Sequence, residues 1–89
     1  MHVENYIIII SLLQKEDKIE IKYKLLPEAA EAGIVIRDAG NKVIKTFTGL
    51  APTDNGLISF SVRDLPAGTY TCTTQLGVQQ GVSLKFTLH

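Results

Sequence analysis

The chain has 89 residues, 45% hydrophobic and 20% charged, a balance that suits one globular domain and excludes a disordered tail or a second core. Nine basic residues offset nine acidic ones, so no net field steers nucleic acid or anionic lipid toward it. Its single cysteine, Cys72, cannot form an internal disulfide, and the redox compartment cannot be read from cysteine usage.

The first element runs from His2 to Leu13. Its apolar stretch from Tyr6 to Leu13 has the hydropathy of a signal-peptide core, but Glu4 stands where positive charge is needed and no small-residue cleavage site follows. It is also far short of the ~20 apolar residues of a membrane helix. Four consecutive isoleucines, Ile7 to Ile10, predict a strand buried on both faces. Gln14 to Asp17 form a charged turn. Lys18 to Leu26 then alternate, with Ile19, Ile21, Tyr23 and Leu25 on one face and Lys18, Glu20, Lys22 and Lys24 on the other. That is a half-buried antiparallel strand with a wet face. Pro27 to Gly33 make a connection too short for a stable helix.

Ile34 to Asp38 are a third strand. Asp38-Ala39-Gly40-Asn41 is a hairpin turn, because Gly and Asn tolerate positive φ and Asp caps its own turn. Lys42 to Phe47 pair back as a fourth strand. Thr48 to Gly56 read as a loop closed by an Asn55-Gly56 turn. Leu57 to Arg63 form a fifth strand with Ile58, Phe60 and Val62 inward. A corner follows from Asp64 to Gly68. Thr69 to Leu76 place Tyr70, Cys72, Thr74 and Leu76 inward. After a turn at Gly77 to Gly81, Val82, Leu84, Phe86 and Leu88 supply the inner face of the seventh strand.

Seven short strands with turn signals every ~8–12 residues predict an all-β fold, a seven-stranded antiparallel immunoglobulin-like β-sandwich occupying residues 1–89. Leu65-Pro66-Ala67-Gly68-Thr69-Tyr70 resembles the tyrosine corner of such sandwiches, where a Tyr hydroxyl bonds back to upstream backbone. Leu65, Gly68 and Tyr70 are its structural residues. Cys72 follows Tyr70 by two positions, where immunoglobulin domains keep their second disulfide cysteine, but there is no partner cysteine and no tryptophan.

Residues for bond-making chemistry are sparse. The two histidines, His2 and His89, lie at the ends, and no His/Cys pair has zinc-ligand spacing. Asp38, Asp54 and Asp64, with Asn41 and Asn55, have the residue types of a loop calcium site, but lack its spacing; turn chemistry accounts for them. No cofactor or metal is expected. Cys72, facing inward, reads as a small buried hydrophobe with no activating base nearby in sequence. Lys18, Lys22 and Lys24 interleave with Glu16, Asp17 and Glu20, which makes a solvated face and not a nucleic-acid platform. Sugar binding needs exposed aromatics, and only Tyr6 and Phe47 lie off the expected inner faces.

From Ile19 to His89 the chain resembles the C-terminal sorting domain of type IX secretion substrates in Bacteroidota, a family related to immunoglobulin-like bacterial surface modules. Ile21-Lys22-Tyr23-Lys24-Leu25-Leu26-Pro27 resembles its "Y-x-L-P" strand end, with one extra Leu. Ile34 to Ile44 resemble its "I-x-I-x-D-x-x-G-x-x-V" hairpin, Leu65 to Tyr70 its "L-x-x-G-x-Y" corner, and Lys85-Phe86-Thr87-Leu88 its closing "K-x-x-V" strand. The Pro-Asn-Pro element that usually opens such domains is missing, and Glu4-Asn5-Tyr6 stands there. The resemblance implies a non-catalytic signal that directs a cargo protein across the outer membrane to the cell surface. It implies a domain excised from the C-terminus of a larger exported precursor, with Met1 added. Its partners would be the secretion apparatus and a sortase, and its signal positions Gly68, Tyr70, Lys85 and Leu88. The alternative is an adhesion or spacer β-sandwich module of a multidomain surface protein. In either case the unpaired strand edges offer a route to partner docking or to an edge-strand homodimer.

Overall fold

The computed structural model describes residues 7–27, 31–77 and 79–89; residues 2–6 of the expected first strand, 28–30 of the expected connection and Val78 of the last turn lie outside the described residues. Every regular element among them is a strand: β1 (Ile7–Lys15), β2 (Lys18–Leu25), β3 (Ala32–Arg37), β4 (Val43–Phe47), β5 (Thr53–Ser61), β6 (Gly68–Leu76) and β7 (Gln79–Leu88). They make two antiparallel sheets, one ordered β1-β2-β5 and the other β4-β3-β6-β7. Ile19, Ile21 and Tyr23 of the first sheet and Ile34, Ile36 and Cys72 of the second belong to one buried cluster. The shortest dimension of the molecule, 17 Å, is that of two layers ~10 Å apart with their outer side chains.

The alternation in β2 is realised as expected. Ile19, Ile21, Tyr23 and Leu25 are buried, and the charged set faces outward. β3, paired on both sides, is buried from Ala32 to Ile36. The β3–β4 hairpin closes as the Asp38 turn predicts. The Asn41 amide donates to the Asp38 carbonyl at 2.9 Å, the Lys42 amide donates to Asp38 Oδ1 at 2.9 Å, and Asn41 takes φ of 69°.

Three expectations are corrected. β1 is an edge strand and is not buried on both faces: Ile7 is buried, while Ile8 and Ile10 are exposed. A bulge between Ile9 and Ser11 places an extra residue in the strand, so Ile7, Ile9 and Leu12 all turn toward the core and Ile8, Ile10 and Leu13 turn outward. The apolar run is thus an alternating strand with one phase slip.

The Asn55-Gly56 pair is no turn. β5 starts at Thr53, and Gly56 pairs with Tyr23 in mid-strand. The Tyr23 ring lies over Gly56, where a Cβ would sit 2.3 Å from the ring carbon Cζ. Glycine is here to admit an aromatic ring, a role that sequence-local turn chemistry cannot reveal.

Val82 is exposed instead of inward. β7 slips register against β6 between Thr73 and Gln75, and at this bulge the Val82 amide donates to Thr74 Oγ1 at 3.0 Å. The hydroxyl of Thr74, fully buried, in turn faces the Val82 carbonyl at 3.4 Å. A polar residue on an inner face is tolerated because both of its hydrogen-bonding roles are filled.

Candidate functional site

The corner and the closing strand build one side of the molecule. Gly68 adopts φ of 150°, a conformation L side chains rarely take, although the space around it is open; the backbone, and not crowding, demands glycine there. Two residues on, the Tyr70 hydroxyl donates to the Pro66 carbonyl at 2.6 Å, which is the bond the tyrosine-corner expectation requires. Leu65 is half-buried against the core, and its amide donates to the Val62 carbonyl at 3.0 Å.

The corner is also tied to the β1–β2 turn. The Val62 amide donates to the Asp17 carbonyl at 2.7 Å, and Arg63 reaches Asp17 Oδ2 with Nε at 3.1 Å and Nη2 at 2.9 Å. Asp17 and Arg63 were not singled out by sequence. They lie 46 positions apart, and only the pairing of β2 with β5 brings them together.

β7 pairs with β6 in the register Gly68↔Leu88, Tyr70↔Phe86, Thr71↔Lys85 and Cys72↔Leu84. Of the four expected signal residues, three are internal to the fold. Tyr70 is buried and stacks on Phe86 with ring centroids 5.8 Å apart, Leu88 is buried, and Gly68 serves the backbone. Lys85 alone presents its side chain to solvent. It stands on the outer face of the four-stranded sheet, in one row with Thr71 and Arg37. The next row holds Val35, Thr46, Thr73 and Ser83, with the Thr73 and Ser83 hydroxyls 3.0 Å apart.

Two shallow recesses flank the corner. One, of about 280 Å³, is lined by Asp17, Arg63, Leu65, Ala67 and Leu88, and the other, of about 210 Å³, by Asp38, Gly40, Pro66, Gly68 and Tyr70. Both offer hydrogen bonds and charge. The thiol of Cys72 is fully buried away from them, and burial pushes it up to about 11, the opposite of what activates a nucleophile. Among the described residues no three metal-ligating side chains converge. Asp38 caps its hairpin, and Asp54 lies in β5 with a carboxylate oxygen 3.9 Å from Lys24, so the loop acids do not gather at one point. Phe47 is not free for sugar stacking, being packed at a 45° tilt on Phe60 at 5.7 Å. No helix among the described residues is long and apolar enough to cross a membrane. A scan against protein-family models and a search of curated proteins both find no match to the chain.

Proposed function

We propose that the chain is a non-catalytic sorting domain of the type IX kind, carrying a cargo protein across the outer membrane to the cell surface with the secretion apparatus and a sortase as partners. The observation that carries this reading is the direct pairing of the two stretches most characteristic of the resemblance. The corner and the Lys85 strand, 15 positions apart, are cross-strand neighbours through Tyr70↔Phe86 and Thr71↔Lys85. The strand order β1-β2-β5 against β4-β3-β6-β7, with a tyrosine corner leading into β6, supports an immunoglobulin-like sandwich of the fibronectin kind. In this reading the four signal positions divide their work. Gly68, Tyr70 and Leu88 hold the closing hairpin in shape, and Lys85 is the group that a receptor touches.

The test fuses residues 1–89 to the C-terminus of a periplasmic reporter in a type IX-competent host and measures protease-accessible reporter on intact cells. Surface display is expected for the native sequence, with a loss of tenfold or more for Lys85→Ala. A folded native fusion that stays periplasmic overturns the reading in favour of an adhesion or spacer module.

A further inference from the structure

Four of the six large apolar side chains that stand exposed among the described residues lie on the outer face of the β1-β2-β5 sheet. Ile10 is 58% exposed, Leu57 56%, Leu13 50% and Ile8 43%. Three of them line β1, and charges line β2 beside them. Ile8 pairs with Lys24, Ser11 and Leu57 flank Lys22, Leu13 and Ser59 flank Glu20, and Lys15 and Ser61 flank Lys18. Ile10 is the bulge residue at the Lys22 level, and with Lys22, Asn55, Gly56 and Leu57 it lines an open recess of about 300 Å³.

The charge on this face is one-sided. Lys15, Lys18, Lys22 and Lys24 stand against two carboxylates, Glu20 and Asp54, and each carboxylate is taken: Glu20 by Lys15 at 3.1 Å and Asp54 by Lys24 at 3.9 Å. Of the two acids in the β1–β2 turn, Asp17 is held by Arg63, which leaves Glu16 alone at that end. Lys18 and Lys22 make no ion pair among the described residues. Lys15 and Lys18 are direct cross-strand partners, and like charges so placed are destabilising unless an anion lies over them. Protection of a sheet edge does not account for the lysines, because three of them are on β2, the central strand.

We infer that this face docks on an anionic lipid surface, with Lys18 and Lys22 on headgroup phosphates and Ile8, Ile10, Leu13 and Leu57 at the headgroup–acyl boundary. Charge complementarity calls for an anionic partner, and the residue types select lipid among anions. Protein interfaces are rich in arginine and aromatic anchors and poor in lysine; here β1, β2 and β5 bring four lysines to the face and neither an arginine nor an aromatic ring. Single-stranded nucleic acid needs aromatic platforms for its bases, and the same absence removes it. At a bilayer the set is complementary. Ammonium groups reach the phosphates while their aliphatic stems lie along apolar neighbours, and the branched side chains between them enter the boundary. The free edge of β1 needs water for its unpaired backbone groups, which keeps the contact shallow. Zero net charge provides no long-range steering, so the attraction acts within a Debye length of ~8–10 Å and weakens with salt. The face is opposite the one that carries Lys85, and the docking stands independently of the sorting reading.

Co-sedimentation of the 89-residue chain with vesicles tests it, with circular dichroism confirming the fold of each variant. Vesicles of equimolar phosphatidylcholine and phosphatidylglycerol are expected to bind the chain at least tenfold more tightly than phosphatidylcholine alone. That preference should vanish when salt is raised from about 50 mM to about 500 mM. Lys18→Glu/Lys22→Glu is expected to weaken binding at least tenfold and Ile10→Ser/Leu57→Ser at least threefold. Lys18→Arg/Lys22→Arg and Lys85→Glu should bind as the native chain does. A native chain with no preference for the anionic vesicles overturns the inference. So does a folded Lys18→Glu/Lys22→Glu or Ile10→Ser/Leu57→Ser variant that binds as tightly as the native chain. A chain that leaves the vesicles bare but binds soluble poly-L-glutamate also overturns it and assigns the face to an acidic protein; one that dimerises instead assigns it to a second copy.

Discussion

Tyr70 holds the corner through one buried side chain. Its ring fills core space and stacks on Phe86, and its hydroxyl satisfies the Pro66 carbonyl. Tyr70→Phe keeps the packing and removes the bond to the carbonyl of the exposed Pro66, so a loss of about 0.5–1.5 kcal/mol is expected, read as a lower urea midpoint at unchanged slope. An unaltered midpoint would show that water replaces the bond at no cost. Cys72 makes a pH prediction with a definite sign. Its thiol, ordinarily near 9.0, is raised to about 11 by desolvation. Between these values the unfolded chain has released the proton that the native state still holds, so stability falls as pH rises from 9 to 11 and is insensitive to this group below 9. The expected loss is on the order of 2 kcal/mol. Urea titrations at pH 8 and pH 10.5 should show a smaller drop for Cys72→Ala than for the native chain, although the variant starts lower because of the cavity it creates. Equal drops would assign the alkaline loss to other groups.

At the scale of the element, strands with a wet and a dry face were legible and their interruptions were not. β2 could be read residue by residue, because Ile19, Ile21, Tyr23 and Leu25 alternate with charges and a period of two has no other structural meaning. β1 could not, because seven of the eight residues from Tyr6 to Leu13 are apolar or aromatic; the bulge at Ile10 is visible only once Ile9 and Ser11 are matched to Tyr23 and Lys22. Asn55-Gly56 misled for a different reason. Asn-Gly is a strong local hairpin signal, and tertiary packing overrode it by laying Tyr23 across the glycine. Gly56→Ala is therefore expected to destabilise the fold by about 1–3 kcal/mol through overpacking, where a turn glycine with negative φ would tolerate alanine. Gly56→Ala in a Tyr23→Leu background should cost markedly less, and equal costs in the two backgrounds would refute the ring contact as the cause.

At the scale of the whole molecule, the last strand is structural before it is anything else. β7 supplies Phe86 and Leu88 to the core and pairs with β6 over its length. Deleting Gln79 to Leu88 should leave the chain without a cooperative unfolding transition, whereas Lys85→Ala should keep the native midpoint within about 0.5 kcal/mol. Thermal melts of the two variants make that distinction, and a truncated chain that still melts cooperatively would contradict it. The contrast matters for any transport assay, since a tail truncation removes the fold together with the lysine. Periodicity and turn chemistry by themselves determined the all-β class, the strand number, the inward faces of β2, β5 and β6, and the corner at Leu65 to Tyr70, because these follow from the pleat, from glycine's freedom and from proline's constraint. Only the tertiary structure decided which strand lies at an edge, where the register slips, that Asp17 meets Arg63, and that Lys85 alone among Gly68, Tyr70, Lys85 and Leu88 presents its side chain to solvent. Those outcomes depend on which strands become neighbours, and neighbourhood across tens of residues is set by the packing of the two sheets on one core.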